Sequence, residues 1–136
     1  MTAARRIRIS ASGHEVTVWV YPTREAMIAA ASRYNGSEHP DDTGAVTQAT
    51  TETATGRCHS VLIRLHEGNL GTEVVCHEMH HAATAIYGAS LDGDTIDRAE
   101  VLSHYNEPFA YLYSDLLSRL VRRLYALGYY DEGVVL

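Results

Sequence analysis

The chain has 136 residues, 46% of them hydrophobic and 21% charged, the balance of one soluble globular domain with enough apolar material for a core. Its formal net charge is −6, and Arg5-Arg6-Ile7-Arg8 is the only basic cluster, so binding to nucleic acid through a basic face is disfavoured. No apolar run reaches signal-peptide or membrane-span length, which points to a cytoplasmic protein. Neither Cys58 nor Cys76 lies in a C-x-x-C spacing, so a buried free thiol is the commoner outcome for each.

Taken in order, Arg5 to Ala11 alternates Ile7 and Ile9 with polar residues and predicts a strand. A turn at Ser12-Gly13 joins it to a second strand, Glu15 to Tyr21, in a hairpin. Thr23 is placed to cap a helix that Asn35-Gly36 ends, and the polar stretch from Gly36 to Gly44 reads as a loop, with His39, Asp41 and Asp42 in it as solvated groups. Ala45 to Thr51, rich in Thr, reads as an edge strand with little burial on either face. Arg57 to Leu65 is the strongest strand, with Val61, Ile63 and Leu65 on one side, Leu62 on the other, and His59 and His66 exposed at its ends.

The next segment carries the chemistry. Thr72 to Tyr87 has no Pro or internal Gly and stops at Gly88, with Val75, Met79, Ala82, Ala83 and Ile86 forming an apolar stripe at helical spacing. Within it, Cys76-His77-Glu78-Met79-His80-His81 contains H-E-x-x-H. On a helix, His77 and His81 project from one face a turn apart, where two neutral imidazoles can grip one zinc ion. Glu78 then stands beside them as a general base for water on the metal. Cys76 and His80 point off that face, so Cys76 is read as packing and His80 as solvated.

A loop follows from Leu91 to Asp94, then a short helix through His104 for which Asp94 or Thr95 is the cap. Asn106-Glu107-Pro108 opens the last and longest helix, with Phe109, Leu112, Tyr113, Leu116, Leu120, Leu124 and Leu127 at helical intervals and Gly128 at its end. Asp115 and Arg119 form an i,i+4 pair on its outer side. The tail after Gly128 is left open between strand and loose end.

A catalytic zinc commonly takes three protein groups and one water. The candidates for the third are Asp92, Asp94, Asp97, Glu100, His104 and Glu107. Thr84 and Tyr87 stand where a metzincin would need Gly and His. Glu107 stands out, because Ala110, Tyr111 and Ser114 follow it on what reads as a close-packing face towards the motif helix.

With His77-Glu78-Met79-His80-His81 and Asn106-Glu107-Pro108-Phe109-Ala110-Tyr111-Leu112, the chain resembles the zincin metallopeptidases. It is most similar to the gluzincin branch and to small, phage-type metallopeptidases. The resemblance spans roughly residues 15 to 127, although its specific motifs cover about a dozen positions. It implies an α+β, minimal zincin-like domain in which a small mixed or antiparallel sheet packs on the motif helix and a long C-terminal helix. It further implies zinc held by His77, His81 and Glu107, with Glu78 as base in peptide-bond hydrolysis. Gluzincins place an Asp four residues after the ligand Glu, and here that position is Tyr111, a candidate donor to the developing oxyanion. The expected partner is a peptide or protein substrate, added as an extra strand along the Ala45–Thr51 edge. The competing expectation is a zinc-binding interaction module without hydrolysis.

Overall fold

The computed structural model describes residues 3–11, 13–36, 44–51, 58–91 and 98–130. His39, Asp41, Asp42, Asp92, Asp94, Thr95 and Asp97 lie outside them, as does the side chain of His59. Strands β1 (Arg5–Ala11) and β2 (His14–Tyr21) form the expected antiparallel hairpin, with Ala11 opposite His14. So short a loop needs a left-handed residue, and Gly13 supplies it at φ +79°. Helix α1 (Arg24–Asn35) follows, its Thr23 hydroxyl accepting from the Ala26 N–H at 3.2 Å and Gly36 closing it at φ +70°. Then come β3 (Val46–Thr51), β4 (Cys58–His66), α2 (Thr72–Ser90), the one-turn α3 (Arg98–Val101) and α4 (Glu107–Ala126).

The four strands form a mixed sheet in the order β1-β2-β4-β3, in which β2 and β4 run parallel and the other neighbours antiparallel. The fold is α+β, and β3 is an edge strand. Alternation then assigns the faces. Ile7, Ile9, Val16, Val18, Val20, Val61, Ile63 and Leu65 point to α2 and α4, where Val75, Met79, Ala82, Ile86, Leu112, Leu116, Leu120 and Leu124 complete the main core. Tyr21 points to the other face, where Met27 and Ala30 of α1 cover it. The result is three layers with the sheet in the middle.

Three expectations need correction. Helix α2 does not stop at Gly88. It runs on to Ser90, because a non-terminal Gly costs a helix only about 1 kcal/mol and Leu91 provides the end, its N–H reaching Gly88 O. Strand β3 is not weakly buried on both faces, since Val46 and Gln48 are buried on the α1 side. Nor is His66 exposed. It is buried at the end of β4, with no partner for Nε2.

Helix α4 packs antiparallel on α2. Asn106 caps it, Oδ1 accepting from the Phe109 N–H at 3.3 Å, while Nδ2 donates to Val101 O at 2.9 Å and to the Tyr87 hydroxyl at 3.1 Å. Further along, the Tyr113 hydroxyl donates to Cys76 O at 3.3 Å. His80 is exposed, as expected, and the edge of its ring meets Phe109 and Tyr113 of α4 at 5.5 and 5.8 Å. Small residues do not make this interface: Ala110 and Ser114 are exposed, and Phe109, Leu112, Tyr113 and Leu116 face inward. Asp115 accepts from Arg119 Nε at 2.9 Å on the outer side.

Candidate metal centre

Helix α2 has three working faces. Its apolar stripe lies on the sheet, His80 and Tyr87 meet α4, and His77, His81 and Ala85 turn towards edge strand β3. The i,i+4 spacing brings the His77 and His81 Nε2 atoms to 3.1 Å. Two imidazoles at about 2.05 Å from a tetrahedral zinc would have their nitrogens about 3.3 Å apart. The donor pair therefore already stands at nearly the separation the ion requires. Without metal, the same 3.1 Å suits one N–H···N hydrogen bond between the rings.

Glu78 completes the group, and the ligand atoms of His77, Glu78 and His81 all lie within 4.8 Å of one another. The histidines are exposed, whereas Glu78 is 6% exposed. What holds its carboxylate is Thr47 of β3, whose hydroxyl lies 2.9 Å from Glu78 Oε1 and 3.1 Å from Glu78 O. One hydroxyl proton serves both acceptors, and the charged carboxylate is the stronger one. Thr47 was legible in the sequence only as part of an edge strand. Its role arises from tertiary placement, since 31 residues separate it from Glu78.

Ala45, Val46, Thr47 and Ala49 line one wall of an open hollow of about 440 Å³, with His77, Glu78, His81 and Ala85 opposite. The hollow thus runs along the sheet edge. Comparison with protein families, with curated proteins and with solved structures returns no match to this chain. The assignment of the site rests on its own chemistry.

The other expected participants stand apart from this group. Glu107 is the exposed first residue of α4 and does not belong to the cluster within 4.8 Å. Tyr111 is exposed and faces a separate hollow, with Ile86, Tyr87 and Ser90 of α2. The reason is helical geometry: the stripe through Phe109, Leu112, Tyr113 and Leu116 faces the core, which turns Tyr111 off the histidine side of α2. Glu100 and His104 are also exposed, and the His104 ring lies 3.9 Å from that of Tyr105. Cys76 is a half-buried free thiol. Burial, and then its contact with Cys76, raises the Tyr113 hydroxyl above the ordinary tyrosine pKa, which keeps it a donor at neutral pH.

Proposed function

We propose that the chain is a zinc-dependent hydrolase acting on peptide bonds, with His77 and His81 as ligands and Glu78 as general base. The observation that carries the reading is the pairing of two imidazole nitrogens 3.1 Å apart with a buried carboxylate held by Thr47. When bound, zinc would supply Lewis acidity, polarising a carbonyl oxygen and acidifying a water. Glu78 would be the base that holds the water's proton and passes it to the leaving amine, and the Thr47 hydrogen bond keeps its carboxylate aimed for that role. The resemblance to gluzincins names Glu107, on the first turn of α4, as the third ligand, although it stands outside the group that His77, Glu78 and His81 form. The open hollow between β3 and α2 admits an extended peptide, and the side of β3 that pairs with no strand among the described residues offers it backbone hydrogen bonds.

A second reading has one observation behind it: the Glu78 carboxylate lies close enough to both imidazoles to be a ligand itself, which would make the site a non-catalytic zinc module. Glu78→Gln separates the two. As a base, Glu78 can be replaced with zinc affinity kept and hydrolysis of a peptide library lost. As a ligand, its replacement costs the zinc. Wild-type protein with one zinc per chain and no hydrolysis of any peptide would overturn the hydrolase reading.

A further inference from the structure

On the opposite face of the sheet, away from the histidines, Arg64 of β4 is 7% exposed. Its Nε donates to Gln48 Oε1 at 2.7 Å and its Nη1 to the Tyr21 hydroxyl at 2.6 Å, while the Tyr34 ring lies 5.4 Å from the guanidinium carbon. Gln48 Nε2 donates in turn to Ala31 O at 3.1 Å, which fixes the guanidinium beneath α1. Among the described residues no carboxylate pairs with Arg64, and its Nη2 donates to nothing. A buried ion ordinarily has a counter-ion, and two neutral oxygens and a ring face do not supply one.

The guanidinium lines a hollow of about 470 Å³ with Trp19, Tyr21, Tyr34, Ala30 and a second cation, Arg33. A third, Arg6, sits 6.0 Å from the Trp19 ring. The walls are aromatic and the charge is positive, and the hollow, wide open to solvent, has room for a small molecule at the surface.

We propose that this hollow is a binding site for a small oxyanion, carboxylate or phosphate, carried on a planar aromatic body. Arg64 meets the anion with the Nη2 edge that Gln48 and Tyr21 leave open, Arg33 closes on it from the rim, and Trp19 and Tyr34 take the planar body. The site is separate from the metal centre: on β3, Gln48 faces it while the neighbouring Thr47 faces Glu78.

Trp19 is the only tryptophan, so its fluorescence and its indole N–H resonance report occupancy in zinc-free protein, independently of any hydrolysis. Benzoate and phenyl phosphate are titrated separately to about 10 mM, with benzyl alcohol and inorganic phosphate alongside. The expected result is saturation by benzoate, by phenyl phosphate or by both, which identifies the anion, and at least about tenfold weaker binding in Arg64→Met and in Arg33→Gln. Should Arg64→Met fail to fold, the exposed Arg33→Gln decides alone. No saturation by either anion, equal binding of benzyl alcohol, binding of inorganic phosphate as tight as that of phenyl phosphate, or unchanged affinity in the variants would overturn the proposal.

Discussion

Thr47 and Glu78 join the edge of the sheet to the centre of the motif helix, hydroxyl to carboxylate at 2.9 Å. Glu78 is buried, so this bond both satisfies a desolvated charge and fixes the direction of its oxygens. Thr47→Val keeps the shape and removes the hydroxyl. It is expected to lower kcat by roughly tenfold with KM little changed and to cost about 1–2 kcal/mol in denaturant unfolding. Thr47→Ser should recover most of both. Equal kcat in all three proteins would show that the carboxylate needs no such restraint.

His81→Ala removes one of the two nitrogens spaced for the ion, so zinc retained after dialysis should fall from about one per chain to nearly none. Glu107→Gln addresses the first turn of α4. As third ligand, its loss should weaken zinc binding by at least about a hundredfold, measured by competition with a chelator. Affinity unchanged within a factor of two would remove Glu107 from the site and leave His104, Glu100 or the aspartates at 92, 94 and 97 as donors.

The elements themselves were legible because hydrophobic period and caps act locally. Thr23, Asn106, Gly36 and Gly128 each stand where the sequence predicts a helix boundary. So were His77, Glu78 and His81, since one helix alone brings them together. What escaped is tertiary. No period in the Thr-rich strand distinguishes Thr47, which meets Glu78, from Gln48, which meets Arg64. The parallel pairing of β2 with β4 depends on how α1 crosses the sheet, and the burial of His66 follows from that crossing. A charge at Arg64 inside the most apolar strand was the visible sign of a second centre.

His66 should make stability fall on mild acidification. Burial, and then the positive charge of Arg24, holds its imidazole below the ordinary pKa of 6.5, against a smaller opposing effect of Glu25. Between 6.5 and the lowered folded pKa, the unfolded chain therefore binds more protons than the native one, so stability rises with pH across that window and is lost as pH drops through it. Protonation would add a second N–H where Nε2 already has no partner. Urea unfolding of wild type and His66→Gln at pH 8 and pH 5 checks this. The wild type should lose more stability than the variant, and parallel losses would mean that the folded protein accommodates the imidazolium.

Asn106 ties three elements to one side chain, so Asn106→Ala should cost more than an ordinary cap. Loss of the bond to the Phe109 N–H alone is worth about 1 kcal/mol. The same change strips a donor from Val101 O and from the Tyr87 hydroxyl, both in the half-buried seam between α2 and α4. Together they place the expected loss at about 2–3 kcal/mol in urea unfolding. Asn106→Asp separates the functions, because a carboxylate caps the helix and still accepts from the Tyr87 hydroxyl but cannot donate to Val101 O. It should recover the cap and the Tyr87 bond but not the bond to Val101. Because Glu107 follows directly, Asn106→Ala should also loosen the first turn of α4 and weaken zinc binding even in the folded fraction. A variant that loses stability while holding zinc at wild-type affinity would uncouple the start of α4 from the metal centre.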